Sequence, residues 1–297
     1  SGKAALILIL SFLKKSGILQ SKMDSIIVPQ WIGTAVYHSV LNEAFITSSF
    51  TGSEKAMLVY HQYGFPQNMD KVTNFCLDKK LIMIEDCAHT IQSNYNGIPL
   101  GTFGDFSIRS FSKFSFCFAL GGLSFKDEDF LDFFQEKRKQ SSYSLLFLIN
   151  AFKILDEFSL NHAVNFEKLR RMLYSLYHEG IRNSRFAEKM FLSNFDNEIN
   201  KRKRNYKYLR SSLNKYTFMD SLEEDVVPYA LPLMIRKNRD KIISDLKEKK
   251  IECGEYWFDT NRFLIEPNFE RCVLVPIHSN VKISTLDYIT ETIKKHA

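Results

Sequence analysis

Two strand-like runs deliver a carboxylate and an amine to places where strands end. In the stretch 81–125, the apolar run 81–84 stops at an acidic pair whose second member is Asp86. Lys113 follows 27 positions later (113 − 86), just past the strand-like run 106–108. The carboxyl ends of parallel strands border the crevice where open α/β sheets bind ligands. The spacing therefore predicts that these two opposite charges share a site at one edge of a sheet.

Pyridoxal phosphate requires such a pair. A lysine amine can bond to the aldehyde of the cofactor, and a carboxylate can keep its pyridine nitrogen protonated so that the ring accepts electrons. Ser110 and Ser112 precede the lysine and offer hydroxyls to a phosphate, and a glycine pair follows at 121–122. The alternative interpretation is structural: Asp86 caps the helix after its strand, and Lys113 is a solvated loop lysine.

The motifs of this stretch resemble those of the DegT/DnrJ/StrS family of pyridoxal-phosphate sugar aminotransferases. The segments that carry the resemblance are IEDCAHT at 84–90, NYNGIPLGTFGDFSIRSFSK at 94–113 and the glycine pair that follows. The resemblance extends, with gaps, over nearly the whole chain. It implies an α/β fold of the type I pyridoxal-phosphate transferases.

The resemblance also implies roles for single residues. Lys113 would hold the cofactor covalently and, once freed, act as the general base of the proton shift. Asp86 would contact the ring nitrogen, and His89 would lie beside the phenolic oxygen and orient it or Asp86. Ser110 would be a phosphate ligand.

Candidate cofactor residues also lie upstream of these motifs. Gly2, Lys3 and Ala4 open a predicted helix, whose free N–H groups can hold an anion. The family uses this helix for the cofactor phosphate. Lys3 stands where the family has Thr, and the sequence leaves open whether it supplies a cation or points to solvent. Trp31 follows a short predicted strand, at the place where family members stack an aromatic ring on the cofactor.

A homodimer is implied by a third motif. Asn183 and Arg185 lie in the segment NSRF, which resembles the N-x-R-M element that reaches into the neighbouring subunit's site. A planar guanidinium suits a phosphate or carboxylate because it binds two oxygens at once. The alternative is a helix start with a surface arginine.

Composition narrows the class of protein. The chain has 297 residues, 45% of them hydrophobic, and a net charge of +6. No basic block with interleaved aromatic residues indicates nucleic-acid binding, and we expect the KRKR run at 201–204 to form a solvated helix face. The five cysteines form no CxxC pair, which predicts free thiols in a reducing cytoplasm and no metal site. The apolar stretches 4–13 and 145–160 are too short or too interrupted for a membrane span.

The order of predicted elements indicates an α/β fold. It has a mostly parallel large sheet flanked by helices and a smaller C-terminal α/β domain, which we place at 1–195 and 196–297. Two departures from the family matter. The chain starts at the SGxAAL helix, where relatives have a further segment, and only a short link remains around 45–55. A parallel crossover usually takes a dozen residues or more, so we expect a fragment, a natural deletion or a sequence given without some of its segments.

The function we expect is amination of a nucleotide-linked keto-sugar with glutamate as donor, in the synthesis of amino sugars for surface polysaccharides. Two alternatives stay open. One is a pyridoxal-phosphate enzyme of another reaction type, although sugar dehydratases of the superfamily carry histidine in place of the lysine. The other is a non-catalytic protein that keeps the fold.

Overall fold

A computed structural model describes residues 1–21, 23–115, 117–157, 180–182, 184–218 and 226–297. The strands are β1 (Ser25–Ile27), β2 (Phe45–Thr47), β3 (Glu54–Tyr60), β4 (Ile82–Asp86), β5 (Asn94–Tyr95), β6 (Ile98–Pro99), β7 (Phe106–Ser110), β8 (Gly121–Phe125), β9 (Ala230–Leu233), β10 (Gly254–Asp259) and β11 (Phe269–Pro276). The α-helices are α1 (Gly2–Lys15), α2 (Thr34–Leu41), α3 (Met69–Lys79), α4 (Glu128–Gln140), α5 (Tyr143–Glu157), α6 (Arg185–Ser212), α7 (Arg239–Glu248) and α8 (Ile283–His296).

The main sheet has six strands in the order β2-β1-β3-β4-β7-β8. All neighbours are parallel except β7 and β8, which pair antiparallel. Strand β4 lies in the interior of the sheet with its last four residues buried, as its apolar sequence predicts for a strand covered on both faces. The predicted α/β class with a mostly parallel large sheet is confirmed.

Helix α1 anchors one face of this sheet through an aromatic cluster. The Phe12 ring meets Phe106 of β7 at 6.1 Å and Phe130 of α4 at 5.1 Å between centroids, in edge-on geometry. Such pairs stabilise a core beyond the area that they bury. The cluster therefore fixes α1 against the strand that leads to Lys113.

The short link between β2 and β3 makes a parallel crossover without a helix. Both strands pair with β1, and Phe45 and Glu54 are level with each other opposite Ser25. From the end of β2, the chain must therefore run back along the length of that three-residue strand and pass over β1 to reach the start of β3. The six residues 48–53 cover that path, because each residue spans at most about 3.6 Å.

The C-terminal part has its own sheet and core. Strands β10, β11 and β9 form an antiparallel sheet in that order, and the cluster beneath it includes Leu246 of α7 and Ile289 of α8. Helix α6 continues across 195–196 without a break, so the predicted boundary falls within a helix and stays a prediction. Helix α8 begins after its N-cap Lys282, whose side chain makes no capping hydrogen bond.

Within the described ranges, no helix combines the length and the apolar character needed to cross a bilayer.

Candidate functional site

Asp86 and Lys113 leave the same edge of the main sheet on neighbouring strands. Asp86 ends β4 and pairs with Ile108 of the parallel strand β7. Lys113 ends a single 3-10 turn, Phe111–Lys113, that follows β7 directly. The structure thus brings together the two charges that the sequence predicts to share a site. No helix follows Asp86 before the hairpin of β5 and β6, so the capping alternative does not hold.

Burial and mutual charge control the protonation of this pair. Asp86 is 3% exposed, and its burial raises the pKa of the carboxyl against the opposing effects of the Lys113 charge and the Ala88 N–H. The Ala88 N–H donates to Oδ1 at 2.9 Å. Among the described residues, none donates a hydrogen bond to the other oxygen. This leaves an acceptor oxygen for a protonated ring nitrogen.

Lys113 is exposed to a cavity, yet the protein crowded around its amine desolvates the ammonium and lowers its pKa. The Asp86 charge opposes that shift. A lysine whose pKa is lowered is a better nucleophile and base, because more of it is neutral near pH 7. The side chain therefore has both the access and the electrostatic setting that covalent chemistry needs.

His89 lies in an aromatic cage behind this pair. Its Nδ1 is 2.5 Å from the Tyr60 hydroxyl, and its ring stacks on Tyr229 at 4.4 Å between centroids with 5° between the planes. Burial lowers the pKa of His89 well below its ordinary value near 6.5, and the Lys113 and Arg202 charges add to the effect. The imidazole is consequently neutral, which suits it for hydrogen bonding rather than for carrying charge.

A cavity of about 490 Å³ opens at Lys113, between the main sheet and the C-terminal sheet. That volume fits a small organic ligand. The polar and charged lining includes Lys113, Ser112, Arg202, Glu252, His278 and Asn280. Asp86 and His89 do not line it.

Glu85 secures the loop that leads into β7. Its carboxylate accepts from the N–H groups of Gly101 and Gly104, each at 2.7 Å, and from His61 Nε2 at 3.2 Å. The Gln67 N–H donates to His61 Nδ1, so the imidazole proton is on Nε2. Burial alone would raise the pKa of Glu85, but these hydrogen bonds outweigh it and lower the pKa.

Cys87 adds a third group to this network, and the ligand atoms of His61, Glu85 and Cys87 lie within 4.8 Å of one another. The carboxylate and the imidazole are already engaged in hydrogen bonds, so the cluster serves to hold the loop. All five cysteines of the chain are free thiols, as predicted.

The start of α1 lies against the end of β7. A Cβ on Gly2 would lie 3.2 Å from the Arg109 carbonyl oxygen and 3.3 Å from Ser110 Cβ. Gly2 is thus adjacent to Ser110, and Lys3 and Ala4 follow it in the first turn of α1. The Ser1 hydroxyl caps the Ala4 N–H at 3.3 Å.

The other predicted residues lie apart from Lys113. Trp31 is 43% exposed and borders Tyr60 and Gln62, not the Lys113 cavity. Trp31 and Tyr60 line the same small cavity, and the Tyr60 hydroxyl contacts His89. Arg185 begins α6 and lines a separate cavity of about 600 Å³. Asn183 lies outside the described residues.

Three further residues of the site were not identified from the sequence. Tyr229 covers the His89 ring, and Tyr63 accepts the Tyr229 N–H on its carbonyl at 2.7 Å. Arg202 is 1% exposed, so the expected solvated face of KRKR is wrong at this position. The signal for Arg202 was its helical spacing with the buried residues Glu198 and Tyr206 of α6.

Comparisons with known proteins identify a family that part of this chain resembles. Residues 23–134 match the DegT/DnrJ/EryC1/StrS aminotransferase family. A GDP-perosamine synthase from Escherichia coli O157:H7 is 39% identical over 66 residues, which are 22% of this chain and 18% of that relative. The chain therefore aligns with only about a fifth of that relative's length. The family resemblance expected from the motifs is confirmed.

Solved structures share the fold at low identity. An aminotransferase from Psychrobacter cryohalolentis superposes with a TM-score of 0.67 at 16% identity, over 99% of this chain and 85% of that one. The GDP-4-keto-6-deoxy-D-mannose-3-dehydratase of Escherichia coli, with bound hydrated PLP, reaches 0.68 at 16% identity, over 99% and 86%. These likenesses establish the fold of this chain.

Proposed function

Because residues 23–134 match the DegT/DnrJ/EryC1/StrS aminotransferase family, we propose that this chain is a pyridoxal-phosphate-dependent aminotransferase of nucleotide-linked keto-sugars. The amino donor is an amino acid, with glutamate as the first candidate. The relative's name, GDP-perosamine synthase, supports a nucleotide-linked sugar as the acceptor. The product belongs to amino-sugar synthesis, as for surface polysaccharides.

The observation that carries the proposal is the Asp86–Lys113 pair. A buried carboxylate ends one parallel strand, and an amine with a lowered pKa follows its neighbour at the mouth of a cavity. The two groups stabilise each other's charged forms. The lysine itself also favours an aminotransferase, because sugar dehydratases of the superfamily carry histidine in its place.

The residues present fit pyridoxal phosphate. The open oxygen of Asp86 suits the ring nitrogen, neutral His89 suits the phenolic oxygen, and Lys113 suits the aldehyde. Ser110 and the start of α1 suit the phosphate, while Trp31 and Asn183 stay candidate contacts by resemblance. When bound, the cofactor supplies a conjugated ring that accepts the electron pair left by a departing proton.

The protein's own part in the reaction is proton transfer and charge placement. Lys113 would act as the base of the 1,3-proton shift, taking the proton from the donor's α-carbon, which its lowered pKa favours. Asp86 would hold a positive charge at the ring nitrogen of the bound cofactor. Tyr60 and Tyr229 keep the His89 ring in one orientation.

The test follows donor conversion on the cofactor-loaded protein. Adding glutamate should change the cofactor absorbance and release 2-oxoglutarate once per site, and continued release should need a nucleotide-linked keto-sugar. Lys113→Ala should abolish the release, whereas Lys241→Ala, a surface lysine paired with Asp245, should not. Loss of a sugar hydroxyl without amine transfer would identify a dehydratase instead. A loaded protein that converts no donor would favour the non-catalytic alternative.

We also propose that the active form is a homodimer in which Arg185 reaches the partner's site. Arg185 lines a different cavity from Lys113, and the two cavities have no lining residue in common. Beside it, Tyr143, Phe147 and Phe186 are 70%, 76% and 63% exposed, as an apolar contact surface would be before assembly.

Mixing two inactive variants tests the shared site. Lys113→Ala and Arg185→Ala chains should regain part of the activity when subunits exchange, because one site of each heterodimer then has both residues. Active Arg185→Ala homodimers, or no recovery despite demonstrated exchange, would contradict the shared site.

A further inference from the structure

A side chain in the turn after β3 joins the main sheet to the C-terminal sheet. Gln62 is 4% exposed and begins the 3-10 turn Gln62–Gly64. Its Nε2 donates to the Trp257 carbonyl oxygen at 2.7 Å, and its Oε1 accepts the Asp259 N–H at 2.9 Å. Both partners are backbone groups of β10. One buried amide therefore makes two hydrogen bonds to the other sheet.

These two bonds resemble those of a neighbouring strand. β10 lies at the edge of its sheet, in the order β10-β11-β9, and an edge strand presents N–H and C=O groups on its open side. In a parallel pair, one residue donates to a carbonyl and accepts the N–H two positions further along the partner strand. The Gln62 amide does the same with Trp257 and Asp259. It therefore fixes both the distance and the register of β10 against the turn.

The next residue of the turn strengthens the link. The Tyr63 hydroxyl donates to the Trp257 carbonyl oxygen at 3.2 Å, and its ring centroid is 6.1 Å from both His89 and Phe258. The Tyr63 carbonyl oxygen accepts the Tyr229 N–H at 2.7 Å. Tyr63 has a φ of 54°, which residues with a Cβ adopt rarely. Such a backbone persists where the surrounding contacts enforce it.

The turn connects the strand of Asp86 to a wall of the Lys113 cavity. Just before the turn, the His61 N–H donates to the Asp86 carbonyl oxygen at 3.3 Å. On the other side of the link, Tyr256 of β10 and Glu252, two residues before β10, line the cavity. The position of β10 against the turn therefore determines how far this wall lies from the main sheet.

We propose that Gln62 is a positioning residue that sets the width of the Lys113 cavity by binding the open edge of β10. Gln62 does not line the cavity itself, so it acts through the strand and not on a ligand. Without the amide, the Asp259 N–H loses its acceptor and the C-terminal sheet separates from the turn more often. This role rests on the contacts between the sheets and does not depend on the proposed transamination.

Thiol labelling of Cys272 measures this separation. Cys272 is fully buried in the same core cluster as Tyr63 and Phe258, so a thiol reagent reaches it only when the sheet moves away. Gln62→Met keeps the length of the side chain and removes the amide. Labelling of Cys272 should become about 10-fold faster, whereas labelling of Cys76, a buried thiol of α3, should not change.

A matched control removes two hydrogen bonds outside the cavity. The Asp127 carboxylate accepts the Asp129 and Phe130 N–H groups at the start of α4, and none of these residues lines the Lys113 cavity. Asp127→Ala should therefore leave the labelling rate of Cys272 unchanged. Acceleration of Cys272 labelling in this control as large as in Gln62→Met would overturn the proposal.

A carboxyl group at position 62 tests whether the two hydrogen bonds are the cause. In Gln62→Glu, the neutral acid has a donor and an acceptor like the amide, whereas the carboxylate only accepts. Burial raises the pKa of such a carboxyl. Relative to the wild type at the same pH, Cys272 labelling in Gln62→Glu should be fast at about pH 8 and nearly normal at about pH 5.5. In Gln62→Met it should be fast at both, and the same pH response in both variants would contradict the proposal.

Donor conversion by the cofactor-loaded protein gives a second readout. Gln62→Met should raise the glutamate concentration for half-maximal conversion by a larger factor than it lowers the maximal rate, because Asp86 and Lys113 belong to the main sheet. Unchanged Cys272 labelling in folded Gln62→Met, or equal acceleration at Cys272 and Cys76, would overturn the positioning role. Faster labelling of Cys272 alone, in a protein that converts no donor, would support that role and refute the proposed function.

Discussion

Gly64 lies where the two sheets meet, and its replacement by alanine would strain that contact. The residue has φ +93°, and a Cβ there would lie 2.6 Å from Tyr229 N, 2.8 Å from His89 O and 2.9 Å from Pro228 Cα. All three neighbours are backbone atoms, so no side-chain rotation relieves the overlap. The substitution should push the start of β9 away from the His89 loop.

The cost of Gly64→Ala has two separable parts. A left-handed φ costs a residue with a Cβ roughly 1–2 kcal/mol, and overpacking costs typically about 1–3 kcal/mol. We therefore expect the free energy of unfolding to fall by about 2–5 kcal/mol. Gly52→Ala is the control, since Gly52 has φ +103° and no atom within 4 Å of an added Cβ. Its free energy of unfolding should fall only by the cost of the left-handed φ.

Urea titrations of the wild type and both variants measure these differences. Gly64→Ala should be less stable than Gly52→Ala by about 1–3 kcal/mol, with a similar dependence on urea concentration. It should also lose activity, because the Tyr229 ring no longer stacks squarely on His89. Equal destabilisation of the two variants would refute the close contact between the sheets at Gly64.

Three other substitutions or conditions test the site. Asp86→Asn should keep the fold and lower turnover by about 10²–10³-fold, because an amide cannot hold the ring-nitrogen charge; near-normal turnover would remove Asp86 from the mechanism. The fold keeps His89 neutral, whereas the unfolded chain protonates it below about pH 6.5. The free energy of unfolding should therefore fall as the pH is lowered, by up to about 1.4 kcal/mol per pH unit. His89→Gln should flatten that slope between pH 7.5 and 5.5, and an unchanged slope would mean that other groups cause it. Glu85→Gln should lower the free energy of unfolding by about 3 kcal/mol, since three donors lose a charged acceptor. Glu43→Gln, at a half-buried ion pair with Lys14, should lose about 1 kcal/mol or less, and equal losses would contradict the role of Glu85.

The sequence was sufficient to predict those parts of the site that depend on local patterns. An apolar run that ends in a carboxylate marks Asp86 because β4 is a short buried strand in the interior of its sheet. Lys113 follows β7 by one turn, so a local motif positions it as well.

Contacts between distant segments were not predictable in the same way. Tyr229 meets His89 only because the C-terminal sheet packs against the main sheet, and no periodicity in either segment encodes that contact. A charged residue such as Arg202 is predicted to lie on the exposed face of its helix, because the sequence does not show the distant groups that bind it in the core. Likewise, the short β2–β3 link works because the register places both strand starts opposite Ser25.

Borohydride reduction followed by peptide mass mapping determines whether Lys113 holds pyridoxal phosphate. The reagent converts the bond between a lysine amine and the cofactor into a stable pyridoxyl adduct. We expect one adduct per chain, on the peptide that contains Lys113, and no adduct in Lys113→Ala. Recovery of the adduct on a different lysine of the wild type, or no adduct at saturating cofactor, would contradict it.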